Sequence, residues 1–264
     1  MTSALWRTML VTPVAALASQ IAAVRDLVFL IVLGTAPAMA QTISGAVLAR
    51  REPHHHLAYE DSTIRVLRVR VPAHDTTLLH EHQSDYFWIG LGAATVVNAR
   101  PGMPDATLAS PDLRFHFTPG NFAHVARNPG DTPFDNITVE LLHPQTDARN
   151  LCEPAVSGKP LDCAPPSAPT SRFFVGADEH RAFATDQLLV SLLTIAAGAT
   201  LRPITSGHTI WLIALDSTDA GRGLRTAGGP KWVGGTSCAT GSTWTLENRS
   251  RKPLRVIAVS GTSP

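Results

Sequence analysis

His80-Glu81-His82, entered through Thr77-Leu78-Leu79, and the later Pro119-Gly120-Asn121-Phe122-Ala123-His124-Val125-Ala126-Arg127-Asn128 are the stretches whose reading decides the fold. Side chains at i and i+2 of a β-strand point to one face, so His80 and His82 look the same way. A third imidazole, His124, arriving from a later strand, completes a trio able to grip a first-row metal ion.

Working outward, Ile64-Arg65-Val66-Leu67-Arg68-Val69-Arg70-Val71 alternates, with Leu67, Val69 and Val71 on one face and Arg68 and Arg70 on the other. Leu113-Arg114-Phe115-His116-Phe117 and Ile137-Thr138-Val139-Glu140-Leu141 repeat the pattern. Short period-2 segments separated by Gly and Pro predict an all-β barrel or sandwich.

The chain has 264 residues, enough for one large domain or two small ones. Lys and Arg number 22 against 21 Asp and Glu, and no basic tract occurs, so nothing points to nucleic acid. Residues 1–40 read as an export signal: Arg25 precedes the apolar run Leu27–Leu33, and Ala38-Met39-Ala40 offers a cleavage site. That run is short against the roughly 20 apolar residues a membrane span needs, so we expect a periplasmic or secreted protein with no membrane attachment after cleavage. An uncleaved anchor or a misplaced start codon is the other explanation for so long a leader. In an oxidising compartment Cys152 and Cys163 could pair, leaving Cys238 without an obvious partner; three small buried residues is the plainer alternative.

Pro154, Pro160, Pro165, Pro166 and Pro169 mark residues 151–172 as a connection between a barrel over 41–150 and a second over 173–264. The second half echoes the first. Thr77–His80 through Trp88–Leu91 can be laid without a gap on Thr200–Pro203 through Trp211–Ala214, at an offset of 123, and Asn128 has a counterpart in Asn248. In that register His80 becomes Pro203 and His82 becomes Thr205, while the Asn128–Asn248 match lays His124 on Trp244. The second barrel is therefore expected to hold no metal.

With these residues in view, the chain resembles the cupin superfamily. His80-x-His82 fits the paired histidines of the first cupin motif, and Pro119-Gly120-x3-His124-x3-Asn128 fits most of the second. The resemblance implies two tandem jelly-roll barrels, a bicupin whose second copy is degenerate, with a small-molecule substrate or ligand. It also implies a divalent ion, Fe(II) favoured with Zn, Ni or Mn possible, and makes a homodimer a natural state. The sequence departs from the motifs in three places. Asp75 stands where a Gly opens the first motif, and Asn121 replaces a displaced Gly in the second, a position Asn tolerates in left-handed backbone. The motif glutamate is missing. Tyr86 occupies its place on the inward face, while Asp85 faces away unless the strand bulges.

Three neutral imidazoles would leave an ion its charge and open positions for water, substrate or dioxygen. Tyr86 is the catalytic candidate, as an oriented hydrogen-bond donor or, if its pKa fell well below about 10, as a general acid or base. Asn128 reads as a turn-holding residue. His54-His55-His56 cannot all share one strand face and is expected to be a solvated loop. Tyr86 and Trp88 could line a pocket or simply fill the core, and His208 reads as incidental. Asn136-Ile137-Thr138 and Asn248-Arg249-Ser250 match the glycosylation triplet but fall where strands are expected. The function expected is oxygenase-type chemistry on a small organic molecule, with a lyase or isomerase and a non-catalytic ligand-binding protein as alternatives.

Overall fold

Alternation turns Ile64–Val71 into a strand with two different apolar faces, and both are covered. Leu67, Val69 and Val71 pack with Tyr86, Trp88, Val96, Phe122 and Phe134 inside one barrel. Ile64 and Val66 join Phe87, Ile89 and Val139 in a second core, which is shared with Phe183, Val190, Trp211, Ile213 and Val259 of the other half. The face that the two arginines mark as polar is thus partly an interface. Arg70 stays outside, paired with Asp135 at 3.1 Å. Arg68 instead donates from Nη2 to the Ala214 carbonyl at 2.8 Å and from Nε to that of Gly234 at 3.4 Å.

The computed structural model describes residues 45–145, 173–185, 187–204, 208–216, 223–228, 232–240 and 243–261. The expected leader, the Pro-rich connection, Cys152, Cys163 and Thr205 lie outside them. Among the described residues Cys238 is a free thiol, half-buried.

The first half contains β1 (Val47–Leu48), β2 (His55–Glu60), β3 (Ile64–Val71), β4 (His80–His82), β5 (Asp85–Gly90), β6 (Ala94–Ala99), β7 (Ala106–Ser110), β8 (Phe115–Thr118), β9 (Phe122–Arg127) and β10 (Phe134–Leu141). They form two sheets, ordered β1-β4-β9-β6-β7 and β2-β3-β10-β5-β8. The second half contains β11 (Phe174–Val175), β12 (Asp178–Ala184), β13 (Leu188–Ile195), β14 (Thr200–Pro203), β15 (Thr209–Ala214), β16 (Leu224–Ala227), β17 (Thr236–Thr240), β18 (Thr245–Asn248) and β19 (Leu254–Gly261). Their sheets run β11-β14-β18-β16 and β12-β13-β19-β15-β17, so the order of the first half returns. The fold is all-β: two jelly-roll barrels in tandem.

The registers correct the gapless match. Val71 pairs with Phe134 as Ile195 pairs with Leu254, which sets Ile64 on Leu188 at an offset of 124. The pairings of β5 and β15 likewise equate Gly90 with Ala214, hence Trp88 with Leu212 and Phe87 with Trp211. A one-residue slip exchanges the faces of a strand. Trp88 accordingly lies inside its barrel, whereas Trp211 lies between the barrels and donates Nε1–H to Asp61 at 2.7 Å. Only around β4 does the original offset survive: the Leu201–Leu246 register, carried two residues further, sets Pro203 against Trp244 as His80 stands against His124.

The ends of the barrels are tied alike. Asn128 donates Nδ2 to the carbonyls of Val71, Pro72 and Thr132 and accepts the Gly130 amide. Asn248 does the same with Ile195, Ala196, Lys252 and the Ser250 amide. Between the barrels, Gly234 approaches β2 so closely that a Cβ there would lie 2.1 Å from the Ala58 carbonyl oxygen, and its φ of +55° is left-handed.

Candidate metal centre

The site grows from two cross-strand pairings. In the β4–β9 ladder His80 and His124 are direct Cα partners, so their side chains enter the barrel on one face, with His82 two residues on. From the opposite sheet, His55 is the Cα partner of the inward-facing Val69 and points into the same space. The expectation of a solvated His54-His55-His56 loop is therefore wrong for its middle member. Three consecutive histidines do not share a face, but that leaves one of them free to point inward, and His55 is 8% exposed as the first residue of a strand.

Ring centroids lie 4.6 Å apart for His55–His80, 6.1 Å for His55–His82 and 5.1 Å for His80–His82. His124 stands 4.4 Å from His80 and 5.5 Å from His82. Two imidazoles sharing an ion at about 2.1 Å from each nitrogen can have centroids up to about 6.4 Å apart. All five separations meet that limit. Candidate ligand atoms of His55, His80 and His82 lie within 4.8 Å of one another. His124 joins this group through its contact with His80 rather than through that distance.

Every ring uses Nδ1 on the protein. His80 Nδ1 faces the Leu78 carbonyl at 2.9 Å and His124 Nδ1 faces Asn98 Oδ1 at 3.0 Å. His82 Nδ1 meets Glu140 at 3.1 Å, and His55 Nδ1 meets Glu52 at 2.6 Å. These oxygens only accept, so each Nδ1 carries the hydrogen and each neutral ring keeps its lone pair on Nε2. His80 Nε2 and His124 Nε2 are buried and without a hydrogen-bond partner. A buried polar atom in that state costs about 1–3 kcal/mol unless something binds it, and a cation would.

Electrostatics favour the neutral, ligating form. Burial, then the charges of His82 and His55, holds the His80 imidazolium down to a pKa of about 2. Burial and the neighbouring histidines also push His124 well below its ordinary value, and burial lowers His55. The two carboxylates behind the rings stay ionised. Burial alone would raise Glu52, but hydrogen bonds from His55, His54 and the Leu78 amide outweigh it and bring the pKa to about 2. For Glu140 the hydrogen bond from His82 and the Arg65 guanidinium at 2.5 Å likewise overcome burial and lower it.

Tyr86 is buried where the motif glutamate would stand and stacks on His82, with centroids 4.1 Å apart and planes at 18°. Burial first, then the Glu140 charge, drives its phenol pKa upward. It is therefore a neutral hydroxyl. Asp85 faces away: its oxygens accept the Gly120 amide at 2.8 Å and the Gln145 amide at 3.0 Å. That clamp needs a glycine, because a Cβ on Gly120 would lie 2.4 Å from the Ser84 carbonyl carbon. Asn121 takes a φ of +63°, the left-handed backbone expected of it, and its amide reaches the His82 carbonyl at 2.7 Å.

A cavity of about 40 Å³ opens on the histidines, lined further by Tyr86, Trp88, Val96, Phe134, Asn136 and Thr138. Trp88 lines it while stacking at 4.1 Å on His116, a buried histidine whose nitrogens have no partner. Sequence reasoning missed His55, Glu52, Asn98 and Glu140. For Glu140 a signal existed, since an acid amid the apolar run Ile137–Leu141 must face something polar.

No family profile and no curated protein matches the sequence. Solved structures do. AerE from Microcystis aeruginosa superimposes with a TM-score of 0.54 at 11% identity, over 80% of this chain and 94% of that one. A cupin domain from Bordetella pertussis Tohama I gives 0.32 at 21% identity, over 33% and 90%. Oxalate decarboxylase from Bacillus subtilis gives 0.46 at 11% identity, over 75% and 69%. One jelly roll of two five-stranded sheets, a second of a four- and a five-stranded sheet, and a His-x-His strand laddered to the strand of the third histidine make a bicupin-like fold, and AerE shares that fold over most of both chains.

Proposed function

We propose that the first barrel is a divalent-metal centre at which a small organic molecule is oxidised. His80, His82 and His124 hold the ion, with iron(II) favoured over zinc, nickel and manganese, and the protein works after export to the periplasm or beyond. The observation that carries this reading is the pair of buried, unpartnered Nε2 atoms on His80 and His124, two imidazoles that burial keeps neutral. When bound, the ion supplies Lewis acidity and, as iron(II), reducing electrons for chemistry with dioxygen.

The chain's own residues do the rest. Glu140, Asn98 and the Leu78 carbonyl fix the three rings through Nδ1, so Nε2 is presented without rotation. Tyr86 fixes the plane of His82 and lines the pocket with a protonated phenol ring. Trp88, Val96 and Phe134 give the pocket an apolar wall. Asn136 accepts the Thr138 hydroxyl on Oδ1 at 2.9 Å, which leaves its NH2 group to donate to a substrate oxygen. A cavity of about 40 Å³ holds about three waters, so it admits the reacting end of a small molecule. None of the lining residues is Lys or Arg, which favours a substrate that is uncharged at that end.

A lyase or isomerase would need Tyr86 to move a proton, and the upward shift of its phenol counts against that role. Oxygen uptake by anaerobically iron-loaded protein, over a panel of small enolisable and phenolic compounds, tests the proposal. Compound-dependent uptake with a new product supports it. Metal-dependent binding without turnover would replace it with a ligand-binding function.

A further inference from the structure

We infer that His55 is a fourth ligand, and that it replaces the glutamate the first motif lacks; the inference rests on the reading that this barrel binds a divalent ion. His55 comes from β2, on the sheet facing the other three histidines, and lines the same cavity as they do. Its ring is 4.6 Å from that of His80, and its ligand atom groups with those of His80 and His82 inside 4.8 Å. Two nitrogens facing each other across one ion stand about 4.2 Å apart, so a group bounded by 4.8 Å is of the size that shared coordination requires.

Its surroundings match those of the other three. Nδ1 donates to the buried Glu52 carboxylate, which also accepts the His54 and Leu78 amides and the His54 ring. Glu52 is thereby held by the loop that leads into β4, and it turns the His55 Nε2 inward. Four neutral imidazoles bring no charge to the ion. Compensation comes from one layer out, from Glu52 behind His55 and Glu140 behind His82. The family's ligating carboxylate is thus replaced by a neutral ligand with a carboxylate at its back. Glu52 is a positioning residue.

Cobalt(II)-loaded full-length protein tests this by proton NMR. Each histidine bound through Nε2 contributes one hyperfine-shifted Nδ1–H signal that disappears in D2O, and all four Nδ1 atoms here have hydrogen-bond partners. The wild type is expected to show four such signals. His55→Ala should show three and bind zinc at least tenfold more weakly in competition with a chromophoric chelator. Glu52→Gln should keep four, move one of them and weaken zinc binding roughly tenfold. Three signals in the wild type, or an unchanged count and affinity in His55→Ala, would overturn the assignment while leaving a three-histidine centre standing. Wild-type protein that takes up no cobalt would overturn the metal centre itself and this inference with it. If His55→Ala does not fold, the wild-type count decides alone.

Discussion

The two barrels share a strand order and a terminal asparagine clamp, yet their interiors have diverged completely. Register by register, Trp244 takes the position of His124 and Pro203 that of His80. Glu179 stands opposite Leu193 as His55 stands opposite Val69, and Ile210 and Ser260 replace the Tyr86–Glu140 pair. Where the first barrel keeps a polar cavity, the second is filled by Trp244, Phe174, Leu201, Leu212 and Leu246. Asn128 and Asn248, by contrast, make matching hydrogen bonds. The backbone solution is therefore independent of what the barrel holds. A buried indole does for one interior what a bound ion is proposed to do for the other.

Substitutions at equivalent positions can break or sharpen this contrast. The largest effects are expected at the pair His124 and Trp244. His124→Ala should remove stoichiometric metal from a protein that still folds, read by elemental analysis beside the wild type. Trp244→Ala should leave metal content unchanged while costing about 3–5 kcal/mol in denaturant unfolding, because it empties a fully buried site. Equal metal in His124→Ala, or halved metal in Trp244→Ala, would erase the distinction between the barrels. Next, Asn128→Ala and Asn248→Ala should each lose about 1–3 kcal/mol, and by similar amounts, since each strands the same kinds of carbonyl. Unequal losses would show that the clamps have diverged too.

Arg68→Met should cost about 1–2 kcal/mol and loosen the barrels' contact, measured as earlier proteolysis between them, because the Ala214 and Gly234 carbonyls lose their donor. Asp85→Asn should have the smallest effect. It still accepts one of the two amides it serves, so metal content should not change and stability should fall by no more than about 1 kcal/mol.

Alternation in Ile64–Val71 and the His-x-His spacing made the barrel and its three histidines legible, because period 2 fixes which way a side chain points. The same rule was blind where both faces are apolar. Every residue from Tyr86 to Gly90 is buried, one face in the barrel and the other between barrels, so a gapless match could slip by one residue without an obvious penalty. Trp88 was thereby laid on Trp211, although they belong to different cores. His55 was hidden for another reason. Its inward orientation is set by pairing with Val69, a contact made across a turn that the composition of His54-His55-His56 does not reveal.

Gly234 gives the second barrel a bearing on the metal site proposed for the first. β2 lies at the edge of its sheet, so only one neighbour's ladder secures it, and edge segments are where local opening begins. The loop before β17 leans on the Ala58 carbonyl of that strand, three residues beyond His55. The second barrel thereby acts as a splint for the strand nearest to peeling away. Gly234→Ala, remote in sequence from every histidine of the centre, should speed the escape of bound metal to a chelator before it measurably lowers the temperature of global unfolding.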